Sequence, residues 1–180
     1  FIEMHESIKD GLLKIYSDDQ IKESIYKTIT ILNSSFPKGV TSRQEFIKND
    51  PSIKSNLEVL LDNAEKYKID INTILELRKN LIDHYTVYLD YYNVELMRKW
   101  LDKNSEHLHV SKMNNYQKTN YGWYLVNIGI YEDFANSNFI EAIKYFKKAY
   151  NTITSVSEAS ELKSTILMQM AQTQAYGGEI

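Results

Sequence analysis

Four histidines are the first side chains to consider for chemistry, because a neutral imidazole can ligate a metal or carry a proton near neutral pH. His107 and His109 flank Leu108, whereas His5 and His84 stand far away in the sequence. A His-x-His pair without a nearby third ligand is weak evidence for zinc. We therefore expect this pair in an exposed linker, and we expect no metal and no other cofactor. His84 falls on a long tyrosine-bearing helix, where it is either buried between helices or donates a hydrogen bond to a ligand.

The 14 tyrosines are the second set of candidates. A tyrosine combines a large apolar ring with a polar hydroxyl group, which suits a binding surface. The tyrosines at positions 85, 88, 91 and 92, with those at 121, 124 and 131, could line a groove that stacks on the side chains of a ligand. At helical spacing each one is also a candidate core residue, and for any single tyrosine the core interpretation is favoured.

Signatures of catalysis are missing from the sequence. It contains no Gly-rich phosphate loop, no nucleophile elbow, no zinc-protease motif and no set of kinase motifs. It also has no Cys, which excludes a thiol nucleophile, a disulfide and a thiolate-bound metal. We predict no catalytic residues and a protein that is not an enzyme.

Composition and charge narrow the classes of partner. The formal net charge of −3 argues against non-specific nucleic-acid binding by the whole chain. No apolar run approaches the ~18 residues of a membrane span, and the first residues lack the pattern of a secretory signal. We therefore expect a cytoplasmic location, no membrane contact and no direct contact with nucleic acid.

The elements that must position these side chains are predicted to be helical throughout. Gly (6) and Pro (2) are scarce, and apolar residues recur at helical spacing, which indicates an all-α chain of about eight helices. The expected features are a helix over 2–16, a cap at Ser17, a loop over 34–42, a cap at Thr41 or Ser42, helix starts at Asp50 and at Asp70 or Asn72, a turn over 91–93, a linker over 104–115, and helices over about 116–135, 138–153 and 157–176.

The last third of the chain contains a hairpin that is built to pack against copies of itself. Its first helix carries Gly129, and its second places Ala142, Phe146 and Ala149 on one face. Residues 94–101 align with 140–149, and Ala171 aligns with Gly129, at offsets of about 42 to 46 residues that fit helical-pair repeats. Small residues allow neighbouring helices to approach closely while large residues fill the adjacent gaps.

This hairpin resembles the tetratricopeptide repeat family. Leu125, Ile128 and Gly129 on the first helix carry the motif, with Ala142, Phe146 and Ala149 on the second. The sequence departs from the family at Leu125, where an aromatic residue is usual, and at 152–155, where the customary Pro is missing. The likeness implies a right-handed superhelix of degenerate hairpins over 70–180, expected to be truncated at its C-terminus, preceded by an N-terminal helical segment over 1–69.

The resemblance also implies where a ligand would bind. In members that grip peptides, an Asn two residues before the small helix residue faces the concave groove, and Asn127 occupies that position here. Gln169 stands in the corresponding place before Ala171. An amide donates and accepts, as a peptide group does. The competing interpretation of Asn127 is a solvated or locally bonded helix residue. The full expected ligand-binding set is Asn127, Tyr131, Gln169, Tyr124, Tyr88 and His84.

The longer, degenerate units are similar to those of the peptide-sensing regulators of low-GC Gram-positive bacteria, in repeat style and composition. That similarity implies an interaction module that binds a peptide or protein segment and senses it for a regulatory protein, with an effector or a second copy in a homodimer as partner. Three alternatives stay open. They are the sensor domain of a transcriptional regulator whose DNA-binding part lies outside this chain, an enzymatic partner protein acting through Gln20 or Gln44, and a structural helical scaffold subunit.

Overall fold

The computed structural model describes residues 16–37, 40–50 and 52–177, and all regular structure in these ranges is helical. The predicted all-α architecture is therefore confirmed for them, whereas all but the last residue of the helix expected over 2–16 lies outside them. The elements are α1 (Asp18–Ser35), α2 (Val40–Asn49), α3 (Ser52–Lys66), α4 (Ile71–Val87), α5 (Tyr91–Asn104), two 3-10 turns (Ser105–His107 and Val110–Lys112), α6 (Asn115–Phe134), α7 (Phe139–Ile153) and α8 (Ser160–Gly177).

Two of the helix starts use the caps that the sequence predicts. Ser17 forms a capping box with Gln20, in which each side chain accepts a hydrogen bond from the other's backbone N–H. The Asp70 carboxylate accepts from the backbone N–H groups of Asn72 and Thr73 at the start of α4. Both caps satisfy N–H groups that an α-helix leaves unpaired at its first turn.

Two predicted boundaries were wrong. The turn expected over 91–93 lies just upstream, because Leu89 has a φ of 56° and Asp90 caps α5 by accepting from the N–H of Asn93. The residue that marks the start of α5 is Asp90, which stands directly before the tyrosines. Helix α2 begins at Val40, so Thr41 and Ser42 lie inside it instead of capping it.

Alternate helices form a row. Helix α2 contacts α4, α4 contacts α6, and α6 contacts α8. The odd-numbered helices pack on this row, with α3 against α4, α5 against α4 and α6, and α7 against α6 and α8, while α1 contacts α3 and α4. Helix α6 is therefore surrounded by other helices, which explains its near-continuous run of buried residues.

Helices α6 and α7 approach each other closely. A Cβ atom added at Gly129 would lie 2.8 Å from Cδ1 of Phe146, so no larger residue fits without movement of that ring. Ala142, Phe146 and Ala149 are all fully buried on the facing side of α7. The small and large residues that the sequence predicts to interlock do so. Among the helices of the described ranges, no span is both long enough and apolar enough to cross a bilayer.

Candidate functional site

A cavity of about 290 Å³ lies between α2, α4, α6 and α8, and we call it the α8-side cavity. The four helices are far apart in the sequence, so the cavity exists only because the helix row brings them together. Its apolar wall consists of Ile47, Val87, Trp123, Val126, Ile130 and Met168. A concave and largely apolar cavity with a few polar groups is the usual form of a ligand site.

Several polar atoms of this cavity have no partner within the described part of the chain. The Oγ1 atom of Thr86 and the Oε1 atom of Gln169 are buried there without a hydrogen bond. A buried polar atom left without a partner costs about 1–3 kcal/mol. Such atoms on the wall of a cavity are available to a ligand that brings the complementary groups.

Asn127 also lines the α8-side cavity, but its amide group is partly used. The nitrogen Nδ2 donates to Oδ1 of Asp83 at 2.9 Å and to the backbone carbonyl of Trp123 at 3.0 Å. Both partners only accept, so the orientation of this amide is fixed, and Oδ1 is the group that it can offer to a ligand. The role expected for Asn127, donor and acceptor simultaneously, is not open to it in this conformation.

Asp83 is the centre of a group of four side chains that we call the charge cluster: Arg43, Lys79, Asp83 and Asn127. Its Oδ2 atom accepts from Nη1 of Arg43 at 3.0 Å and from Nζ of Lys79 at 2.6 Å. Burial raises the pKa of Asp83 to about 6, against the attraction of Arg43 and the hydrogen bond from Asn127. The cluster joins α2, α4 and α6 through charged and polar groups, in addition to the apolar core that these helices share.

A second cavity of about 460 Å³ lies on the other side of the charge cluster, and we call it the α1-side cavity. It is lined by α1, Arg43 of α2, the first half of α4 and the start of α6. Its wall includes the polar side chains of Glu76, Lys79, Asn80 and Asn120. Burial and repulsion from Asp70 raise the pKa of Glu76 to about 7, although a hydrogen bond from Asn33 opposes the shift. Arg43 borders both cavities.

The structure places the expected ligand-binding residues in different surroundings. Asn127 and Gln169 share the α8-side cavity. Tyr124 is fully buried in the core, where its hydroxyl donates to the backbone carbonyl of Met97, and burial strongly raises its pKa. Tyr131 packs its ring on Tyr91 of α5, with the ring centroids 5.9 Å apart. Neither of these tyrosines lines the α8-side cavity.

His84 and Tyr88 form a pair at the end of α4. Their rings stack with centroids 4.6 Å apart, and Tyr88 is 46% exposed while its hydroxyl donates to the backbone carbonyl of Ile47. His84 is buried, and neither ring nitrogen has a hydrogen-bond partner in the described ranges. Burial and the nearby Lys54 lower the pKa of His84. Both effects favour the neutral imidazole.

The remaining chemical candidates are dispersed. His107 and His109 are exposed in the segment of 3-10 turns, and the described residues contain no group of three or more side chains arranged to hold a metal. Gln20 is engaged in its capping box, whereas Gln44 lines the α8-side cavity.

Sequence reasoning missed Arg43, Lys79, Asp83 and Asn120. A signal was present, because Thr73, Glu76, Asn80 and Asp83 recur three or four residues apart and so share one face of α4. We followed the apolar face of that helix and treated charged residues on helices as solvated.

Comparisons with protein-family models, curated proteins and solved structures found no match for this chain.

Proposed function

We propose that this protein is an interaction module of tetratricopeptide type that binds a peptide or protein segment in the α8-side cavity. The observation that carries the proposal is the cavity itself, an apolar chamber between four helices with unpartnered polar atoms of Thr86 and Gln169 on its wall. The apolar wall suits one buried side chain of the segment, and the polar atoms suit the adjacent backbone.

The order of helix contacts supports the repeat part of the proposal. Helices α4 and α5, then α6 and α7, form hairpins whose first members contact each other, and α8 continues that row. Gly129 beneath Phe146 allows the two helices of the α6–α7 hairpin to approach closely, and such hairpins are the units that repeat proteins stack. A concave row of first helices is where proteins of this architecture present a binding surface.

The ligand-sensing role follows from the position of the cavity. A segment bound there contacts four helices at once, so its binding energy depends on their relative placement. A ligand that prefers one placement shifts the population toward it, and an effector or a second copy of the chain can respond to that shift. We therefore propose that the module serves as the sensing part of a regulatory protein.

Selection from a displayed library of random heptapeptides, followed by calorimetry on the selected sequences, tests this function. We expect the selected peptides to share one apolar position. Thr165→Trp fills the cavity from α8 and should weaken binding more than about tenfold, since it removes the space for the buried side chain. Gln169→Leu should weaken it by a smaller factor.

Ser164→Trp is the matched control, because Ser164 is the exposed neighbour of Thr165 on the same helix. It adds the same side chain without filling the cavity and should leave affinity unchanged. The proposal fails if no sequence is enriched, or if the selected peptides bind Thr165→Trp as tightly as wild type.

A further inference from the structure

The charge cluster is not neutral. Arg43 and Lys79 both contact the same oxygen of Asp83, and within the described ranges Asp83 is the acid with which each of them forms an ion pair. Two cations therefore share one carboxylate. Lys79 is only 2% exposed, so solvent does little to offset the extra positive charge. A buried charge that lacks a counter-charge is unfavourable.

The α1-side cavity gives this excess charge access to a ligand. Lys79 and Arg43 both line it. The Lys79 ammonium has three N–H groups, and its hydrogen-bond partner in the described part of the chain is Asp83 alone. Arg43 uses Nη1 on Asp83 and Nε on the backbone carbonyl of Pro37, which leaves Nη2 with its two N–H groups.

A third group on the same wall supports a ligand there. Asn120 on α6 is 8% exposed and lines the α1-side cavity, yet its side-chain amide forms no hydrogen bond with the described residues. The amide atoms of Asn120 are not closed off from the cavity, so they can reach a ligand there. Together with the spare N–H groups of Lys79 and Arg43, this amide gives the α1-side cavity hydrogen-bond donors from three helices.

We propose that the α1-side cavity binds a carboxylate, held by Lys79 and Arg43 and by the side-chain amide of Asn120. A carboxylate carries the single negative charge that the excess of one cation requires, and its two oxygens can accept about four hydrogen bonds. Glu76 lines the same cavity, but within the described ranges it forms no ion pair with Lys79 or Arg43, and its carboxylate accepts a hydrogen bond from Asn33. The site lies outside the α8-side cavity and does not depend on the proposed function.

Titration of the full chain with sodium acetate, at constant ionic strength kept with sodium chloride, tests the site directly. In ¹⁵N-labelled protein we expect saturable shifts of the side-chain NH₂ signals of Asn120 and Asn80. Lys79→Gln should weaken the apparent affinity by about tenfold or more, since it removes the most deeply buried donor. Lys103→Gln, which alters an exposed lysine, should leave the affinity unchanged.

Asn120→Leu is a second variant that keeps both cations and removes only the amide. It tests the proposal if Lys79→Gln does not fold. It should weaken acetate binding several-fold. Shifts that grow linearly without saturation, or equal affinity in wild type and Asn120→Leu, would overturn the proposal. Tighter binding of inorganic phosphate than of acetate would overturn the assignment to a carboxylate.

Two sources of the carboxylate are separated by blocked tripeptides. If Ac-Ala-Glu-Ala-NH₂ binds about tenfold more tightly than acetate while Ac-Ala-Gln-Ala-NH₂ does not bind, the natural source is an acidic residue of a bound segment. If acetate binds as well as the acidic tripeptide, the source is a free small acid. Thr165→Trp should not change acetate binding, because Thr165 does not line this cavity. The proposed function and this inference can therefore fail separately.

Discussion

Helix α6 meets its two main neighbours in opposite ways. Toward α7 it presents Gly129 to the ring of Phe146, a close contact of carbon against carbon. Toward α4 it presents Asn127 to Asp83, which also binds Arg43 and Lys79. The first joint suits stability, because it removes apolar surface from water. The second is a poor way to gain stability, because the charges lose their hydration. This difference supports the proposal that the row of α2, α4 and α6 serves in binding.

The largest effect that would test this difference is expected at the apolar joint. Phe146→Ala should lower the free energy of unfolding by about 3–5 kcal/mol, because it removes a fully buried ring and leaves a cavity. Chemical denaturation measures the loss. Gly129→Ala should cost less, about 1–2 kcal/mol, since the added Cβ forces the ring to move.

A double-mutant cycle sharpens this prediction. With Phe146→Leu in the background, Gly129→Ala should become neutral or stabilising, because the ring is gone and Ala favours helix over Gly by about 1 kcal/mol. Additive effects of the two substitutions would contradict the close contact between them.

A somewhat smaller loss is expected at the charged joint. Asp83→Asn leaves Arg43 and Lys79 without a counter-charge and should destabilise the fold by about 3 kcal/mol in the same denaturation assay. The exposed pair of Glu23 and Lys27 provides the control, and Glu23→Gln should leave the denaturation midpoint unchanged.

The triple variant Arg43→Met, Lys79→Met, Asp83→Leu tests whether the charges themselves are needed for folding. Replacing a buried ion network by apolar residues is often neutral or stabilising by about 1–4 kcal/mol, and we expect that result here. A large loss of stability in the triple variant would show that the charges hold the row together, and the contrast drawn between the two joints would be wrong.

A smaller effect is expected in the pH dependence of stability, through Glu76 of the α1-side cavity. The pKa of Glu76 is raised to about 7, so the native state binds this proton more tightly than the unfolded chain does. The stability that this raised pKa gives to the native state is therefore fully present below pH 4.5, the ordinary pKa of a glutamate. It is lost as the pH rises through 7. In Glu76→Gln the new side chain has no charge at any pH. Between mildly acidic and mildly alkaline pH, the free energy of unfolding of this variant should therefore fall by about 1 kcal/mol less than that of wild type. Parallel pH profiles for the two proteins would contradict this.

The smallest effect is expected at a buried polar group that lies away from the cavities. His84→Phe keeps the stack on Tyr88 and removes two ring nitrogens that have no partner among the described residues. It should raise the free energy of unfolding by up to about 1 kcal/mol, whereas His107→Phe at an exposed position should not. A loss of stability in His84→Phe would mean that the imidazole makes a favourable interaction.

The sequence was informative where structure depends on local spacing. A cap within 17–19 and a helix start at Asp70 or Asn72 were predicted from residue type, and the interlock of Gly129 with Phe146 followed from the apolar pattern of a single hairpin. The resemblance to tetratricopeptide repeats placed Asn127, Tyr131 and Gln169 on one face, and of these Asn127 and Gln169 line the α8-side cavity.

The charge cluster could not be predicted in this way. Arg43 and Asp83 are 40 residues apart, and Asp83 and Asn127 are 44 apart. The spacing of Thr73, Glu76, Asn80 and Asp83 indicates a polar face of α4, but local spacing does not show which distant helices cover that face. Asn127 donates to Asp83 only because α6 contacts α4. The sequence does not show that contact, so it also could not show that Asn127 has only its acceptor oxygen left for a ligand.

The sequence separation within the charge cluster has a consequence for how the chain folds. Helices α6 and α7 are joined by a short turn, so their contact closes only a small loop of chain and can form early. The bonds of Asp83 to Arg43 and Asn127 close much longer loops, and the first of them also requires two charged groups to shed water. We therefore expect them to form late, after the hairpins. In the native protein the same bonds should be among the first to open, and amide hydrogens of α2 should exchange with solvent sooner than those at the centre of α6.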